Sequence, residues 1–208
     1  MKVAVIGGTG KMGLAVARRL ARNHEMIIGS RDPARAEAAA KQVKGAVGAD
    51  YHVACKMAEV ILFSIPYSAL ASMADLREDA AGKVAVSMVV PLKMEGGLLQ
   101  FPLEKGSAAE ELAKLLPETK VATAFNNVPR AFFEEEFNHP VDVLVAADSK
   151  ETYEVAAQLV RGLGQMRPLY AGPLSQAGIV ERLTALVLNL ARLNGTGNLT
   201  TKFVSRKG

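Results

Sequence analysis

The sequence predicts an α/β protein: a doubly wound parallel sheet with helices on both faces and a small helical cap at its C-terminal end. Three observations predict it. Short runs rich in Val, Ile and Ala alternate with longer segments rich in Ala, Leu, Arg and Glu along most of the 208 residues. The runs are apolar on both faces instead of alternating, as strands covered by helices on each side must be. The first run passes directly into a glycine-rich turn and then a helical pattern, the opening of a βαβ unit with its right-handed crossover.

The strand-like runs are residues 2–6, 25–29, 60–65, 83–88, 121–125, 141–146 and 166–170. Between them, residues 10–21, 33–43, 68–80, 108–115 and 151–163 carry the 3.6-residue periodicity of helices. Asp148 or Ser149 stands where an N-cap belongs before the last of these, and Gly162 and Gly164 close it. The stretch 50–57 shows no pattern that assigns it. After the turn Gly172-Pro173-Leu174-Ser175 a long helical pattern runs over 176–193, with Leu183, Leu186, Val187, Leu190 and Leu193 as its apolar stripe. Gly195, Gly197 and Asn198 end it before an extended tail. We read residues 1–171 as one nucleotide-binding domain and residues 172–208 as a helix and tail that complete its substrate crevice.

Composition narrows the function. Half the residues are hydrophobic and the net charge is +4, so the chain buries a real core and is not disordered. A single cysteine, Cys55, excludes an intramolecular disulfide framework, and three histidines without metal-ligand spacing argue against a transition-metal centre. The basic residues are spread out apart from Lys202, Arg206 and Lys207. With seven Phe, four Tyr and no Trp there is no basic block with interleaved aromatics, so nucleic acid is not the expected partner. No apolar run approaches the roughly 18 residues of a membrane span, and none resembles a signal peptide. The expectation is a cytoplasmic protein with a small polyanionic ligand.

The segment Gly7-Gly8-Thr9-Gly10-Lys11-Met12-Gly13 contains G-x-G-x-x-G at Gly8, Gly10 and Gly13. A buried strand before it and a helix after it are the context the motif requires: a tight turn, close approach of backbone to pyrophosphate, and close helix–strand packing. The helix start then offers free N–H groups and a partial positive charge to the phosphates. This makes the class a Rossmann-like fold. The second strand ends Ile28-Gly29-Ser30-Arg31, with Arg35 one turn further on, where NAD enzymes place an acidic residue for the ribose 2′-hydroxyl. A hydroxyl and two guanidiniums suit a 2′-phosphate, so NADP is expected over NAD, with Thr9 adding a second hydroxyl. Asp32 reads as the cap of the helix opening at Pro33.

Three further strand ends should line the crevice: Ser64-Ile65-Pro66-Tyr67, Val89-Val90-Pro91-Leu92 and Phe125-Asn126-Asn127-Val128-Pro129-Arg130. They outline a groove with apolar walls, one aromatic and two amides. No catalytic triad or carboxylate pair is readable. Cys55 reads as a core filler, His24 and His139 as loop residues, Glu134 to Glu136 as a solvated helix face, and His52 stays unassigned. An alcohol dehydrogenase must move a proton as well as a hydride, whereas transfer between two ring cofactors needs chiefly juxtaposition. No catalytic residue is therefore expected.

Gly7-Gly8-Thr9-Gly10, Gly29-Ser30-Arg31, Ser64-Ile65-Pro66, Val90-Pro91-Leu92, and the ending Ala171-Gly172-Pro173-Leu174-Ser175, Leu188-Asn189-Leu190-Ala191-Arg192-Leu193-Asn194-Gly195 and Lys202-Phe203 resemble the F420H2:NADP oxidoreductase family. The resemblance spans nearly the whole chain in order. It implies a homodimer that passes hydride reversibly between NADP and the deazaflavin coenzyme F420. It further implies that Thr9, Gly10, Lys11, Met12, Ser30, Arg31 and Arg35 hold NADP. Tyr67 and Val90 would flank the dinucleotide, beside Ile65, and Asn126 to Arg130 would border the place where the rings meet. One position departs: Asn126 stands where histidine is expected in archaeal members, which leaves flavin as an alternative acceptor. The Phe-Asn-Asn stretch also resembles the reductase domains of ferric reductases. Two rival readings remain at this point, an NADPH-dependent reductase of flavin or another small substrate, and a non-catalytic NADP sensor.

Overall fold

The computed structural model describes residues 1–206; Lys207, counted above with the basic cluster, lies outside them. The chain runs β1 (Lys2–Ile6), α1 (Lys11–Leu20), β2 (Glu25–Ser30), α2 (Pro33–Ala40), β3 (Val47–Asp50), α3 (Tyr51–Met57) and β4 (Val60–Phe63). A 3-10 helix (Tyr67–Leu76), α4 (Arg77–Ala80) and β5 (Val84–Ser87) follow, then a hairpin of β6 (Lys93–Glu95) and β7 (Leu98–Gln100). The rest is α5 (Ala108–Leu115), β8 (Lys120–Thr123), α6 (Ala131–Glu134), β9 (Val141–Ala147), α7 (Lys150–Arg161), β10 (Met166–Gly172) and α8 (Ala177–Asn194).

Eight strands form one sheet in the order β10-β9-β8-β5-β4-β1-β2-β3. Alternate residues of each strand enter two separate cores: Val3 and Val5 pack with α1 and α7 on one face, Ala4 and Ile6 with α3, the 3-10 helix and α5 on the other. This is why the strands read as unbroken apolar runs. From β1 the chain winds outward through β2 and β3, then returns to pair β4 on the opposite side of β1. That reversal opens a crevice beyond the C-terminal ends of β1 and β4.

The differences from the sequence expectations have physical causes. The sheet is parallel except at β8–β9, which pairs antiparallel. A parallel return needs a crossover helix, and only the one-turn α6 lies between those strands. The edge strand β3 has no counterpart among the apolar runs of the sequence, because four residues with a glycine carry too little apolar pattern. The hairpin β6–β7, likewise without an apolar run to mark it, is largely exposed and outside the main sheet. Expected strand 60–65 leaves the sheet after Phe63, so Ser64, Ile65 and Pro66 bend into the crevice. The segment expected as a helix over 68–80 is mostly 3-10. Glu135 and Glu136 lie beyond α6, and Glu136 is an ion-pair hub for Arg19 at 2.8 Å and Arg22 at 3.2 Å, not a bare helix face. His24 is half-buried with both ring nitrogens unpartnered, not solvated.

The C-terminal part is fastened by polar contacts. Glu181 of α8, fully buried, accepts hydrogen bonds from the Ala108 and Ala109 amides at 2.9 and 3.0 Å, capping α5 from outside. Asn189 pairs with Leu99 of β7 like a second strand, accepting from its N–H at 2.9 Å and donating to its carbonyl at 2.8 Å. The tail lies along β9: the Phe203 amide donates to buried Asp142 at 2.5 Å, and the Arg167 guanidinium forks onto the same carboxylate at 2.6 and 3.0 Å. Burial alone would raise the Asp142 carboxyl, but Arg167 and the Phe203 amide hold it below its usual range.

Candidate functional site: a cleft and an apolar cavity at the strand ends

The glycine turn is built so that side chains cannot fill it. Gly7, not Gly8, takes the left-handed backbone (φ 85°), and a Cβ there would sit 2.3 Å from the Ser64 carbonyl. Gly8 and Gly13 serve packing, since a Cβ on Gly13 would lie 2.6 Å from the Gly7 carbonyl oxygen. The turn is tied to β2 by the Gly7 and Gly8 amides, both 3.2 Å from the Gly29 carbonyl. Helices α2, α3, α5 and α7 each start with a side-chain cap, from Asp32, Asp50, Ser107 and Ser149. Helix α1 starts at Gly10 with no such cap and no acidic residue in its first turn. Its first amides are thus left for an anionic ligand.

A cleft of about 480 Å³ opens over this turn, with Thr9, Gly10, Ser30, Arg31 and Arg35 on one side and Ser64, Ile65, Pro66, Ala69 and Met73 on the other. Arg31 and Arg35 are exposed to it and form no ion pair among the described residues. Asp32 is fully engaged as the α2 cap, accepting from the Ala34 and Arg35 amides at 2.9 and 3.3 Å, so it does not neutralise them. Two unpaired cations, two hydroxyls and an uncapped helix start suit a phosphorylated dinucleotide, and the open glycine cradle admits its pyrophosphate. Tyr51, from the unassigned stretch, also lines this cleft.

A second, smaller cavity of about 100 Å³ lies between the α1 start, the turn after β8 and α8. Met12, Asn126, Asn127, Val128 and Pro129 line it together with Thr184, Val187 and Leu188 of α8. No ionisable side chain is among these. The turn is strained and is held by packing and hydrogen bonds: Phe125 takes φ 67°, a conformation costly for an aromatic residue, while its ring is buried against Phe133 at 5.9 Å. Asn126 accepts from the Thr123 hydroxyl at 2.8 Å and donates to the Val89 carbonyl at 3.2 Å. The Thr184 hydroxyl donates to the Asn126 carbonyl at 2.8 Å. Asn127 donates to the Asp142 carbonyl and to Thr201 at 2.8 and 2.7 Å, leaving its Oδ1 buried without a partner.

Six expected residues line neither cavity: Gly8 and Gly13, which serve packing, and Lys11, Tyr67, Val90 and Arg130. Lys11 points outward at the helix start, Val90 is partly covered, and Arg130 pairs with Glu134 at 3.2 Å. The Tyr67 hydroxyl donates to Glu111 at 2.9 Å, on a different surface. Conversely, Tyr51, Thr184, Val187 and Leu188 were missed. Asp50 before Tyr51 was a legible N-cap signal, while α8 reaches the cavity only through tertiary packing. Cys55 is fully buried, and its thiol is pushed up to about 12 by burial and the nearby Asp79 charge. His52 pairs with Asp79 at 2.6 Å and lines neither cavity. Among the described residues, no cluster of His, Cys, Asp or Glu could hold a metal ion.

Fold and cleft together define a Rossmann-type dinucleotide-binding protein. Residues 2–91 match the family model described as NADP oxidoreductase coenzyme F420-dependent. The chain is 36% identical to the F420-dependent NADP reductase of Methanocaldococcus jannaschii, over 95% of this chain and 96% of that one. It is 37% identical to the enzyme of the same name from Methanothermobacter thermautotrophicus, over 95% and 92% of the two chains. A solved structure described as a putative F420-dependent NADP reductase from Arthrobacter superposes with a TM-score of 0.87 at 25% identity, covering 99% of this chain and all of that one. An imine reductase from Bacillus cereus shares the fold, with a TM-score of 0.66 at 19% identity over 94% of this chain and 63% of its own. The chain belongs to the F420-dependent NADP reductase family, a family of oxidoreductases.

Proposed function

We propose that this protein transfers a hydride between NADP(H) and coenzyme F420, holding the adenosine 2′-phosphate at Arg31, Arg35, Ser30 and Thr9. The observation that carries the reading is the division of the crevice. One end is cationic, built around an uncapped helix start; the other is apolar, held by amides and hydroxyls, and free of ionisable side chains. The two cofactors supply the chemistry, a hydride passing between the nicotinamide and deazaflavin rings. The protein's own part is to seat both rings and exclude water. Met12, Val128, Pro129, Val187 and Leu188 provide dry walls, and the hydrogen-bonded Asn126 and Asn127 fix the turn that carries them. Such a site gains its rate from juxtaposition and not from an acid or base. In this reading Asn126 is structural, bound to Thr123 and Val89, so a histidine is not needed there to hold the turn.

The same reading takes residues 172–208 as the part that completes the crevice through α8, and the protein as a cytoplasmic homodimer. Its support is on α8: Ile179, Leu186, Leu190 and Leu193 are exposed, and with Leu183 they recur at steps of four and three residues. That spacing makes a seam suited to a second helix of the same kind. No helix among the described residues is long and apolar enough to cross a membrane. The test is a matrix of donors and acceptors: NADPH or NADH against F420, FMN and FAD. Fast reduction of F420 by NADPH alone is expected. Turnover with FMN or FAD and silence with F420 would refute the assignment, as would tight NADPH binding with every acceptor inert.

A further inference from the structure

The cleft that takes the adenosine end holds a polar side chain outside the strand-end motif. Tyr51 is the first residue of α3, and Asp50, which caps that helix, accepts from the Val53 amide at 2.9 Å. Asp50 is also the last residue of β3, paired in register with Ser30 of β2. The two strands therefore end side by side, and the residues that follow, Arg31 and Tyr51, face the same cleft. Behind it lies a further cavity of about 240 Å³ that shares Arg31, Tyr51, Ser72 and Met73 with it, so Tyr51 stands at the junction of the two.

The phenol is half-buried, and its hydroxyl makes no hydrogen bond among the described residues; the Arg31 and Arg35 guanidiniums are also unpartnered. Burial raises the Tyr51 phenol, while the charges of Arg31 and Arg35 pull it back, so the hydroxyl lies in the field of both cations. An unpartnered O–H donor lining the same cleft as two unpaired guanidiniums is a recognition set for an anion with several acceptor oxygens. We propose that Tyr51 is a third reader of the 2′-phosphate, its hydroxyl donating to the phosphate that Arg31 and Arg35 neutralise. This rests on the NADP reading of the cleft. It also explains why a short edge strand and a capped helix are placed beside Ser30: they carry the third donor to the ligand.

Binding of adenosine 2′,5′-bisphosphate and adenosine 5′-monophosphate, followed by calorimetry without any hydride acceptor, tests it. Wild type should prefer the bisphosphate. Tyr51→Phe should lose about tenfold in bisphosphate affinity, as for a hydrogen bond to a charged group, with monophosphate binding unchanged. Undiminished bisphosphate binding by Tyr51→Phe, the result expected of a ring that only stacks, or equal losses for both ligands, would overturn the assignment. A wild type that does not distinguish the two ligands would overturn the NADP reading itself. Tyr51→Phe keeps the ring, so its packing in the cleft is preserved.

Discussion

In the proposed reading Arg31 is the residue on which cofactor choice turns. It is exposed and unpaired at the end of β2, where an acidic residue would repel a 2′-phosphate. Arg31→Ala should weaken NADPH binding by about 1.5–3 kcal/mol, roughly 10- to 150-fold, and leave NADH nearly unchanged. Equal losses in fluorescence titrations with the two nucleotides would remove Arg31 from the 2′-phosphate site. Gly13 works at the same scale through sterics alone. Adding a methyl group there forces a Cβ to within 2.6 Å of the Gly7 carbonyl and 2.9 Å of the Gly8 Cα, both rigid backbone. Gly13→Ala should cost about 1–3 kcal/mol in a denaturant titration and widen the phosphate turn. An unchanged midpoint would mean that α1 slides outward without strain.

At the scale of elements, α8 is held by polar fasteners. Its buried Glu181 caps α5, Asn189 clasps β7, and the Arg182 guanidinium stacks 4.5 Å over the Phe101 ring. Burial pushes the Glu181 carboxyl up to about 7, with Glu110 and Glu111 adding to the push and the Ala108 and Ala109 amides opposing it. The folded protein thus keeps a proton that the unfolded chain releases near its ordinary value of 4.5. The stabilisation linked to this proton is complete below that value and is lost as pH rises through about 7. The melting temperature of Glu181→Gln should therefore decline less with rising pH over that window than that of wild type. Parallel profiles from differential scanning calorimetry would show that Glu181 is ionised throughout.

For the whole molecule, the apolar seam of α8 is the feature that a lone chain leaves uncovered. The apolar stripe of α8 divides: Val187 faces the apolar cavity, while Leu186, Leu190 and Leu193 face outward with Ile179. Burying such a seam against a second copy removes several large apolar side chains from water. Leu186→Glu combined with Leu190→Glu should give monomers in light scattering, with NADPH still bound, because neither residue lines the cavities described here. An unchanged mass would place any dimer contact elsewhere. Because α8 supplies one wall of the apolar cavity and carries the outward seam, the proposed dimer contact and the proposed ring site would rest on the same helix.

The sequence alone determined the layered α/β class, the phosphate turn and the preference for NADP. Each is written locally: unbroken apolar strands, glycines at fixed spacing, and Ser30, Arg31 and Arg35 within two turns of a strand end. Tertiary structure decided the rest. That position 7 admits only glycine follows from its positive φ together with the Ser64 carbonyl, which closes the space a Cβ would need from beyond the end of β4. The antiparallel β9 follows from the lack of a crossover helix after β8, and Tyr67 leaves the crevice because Glu111 of α5 captures its hydroxyl. Tyr51 joins the cleft because β3 pairs beside β2, and Thr184, Val187 and Leu188 join the apolar cavity because Glu181 and Asn189 dock α8. Local pattern specifies how a segment folds, but the contacts among segments far apart in the chain are chosen only when the cores close and their buried polar groups find partners.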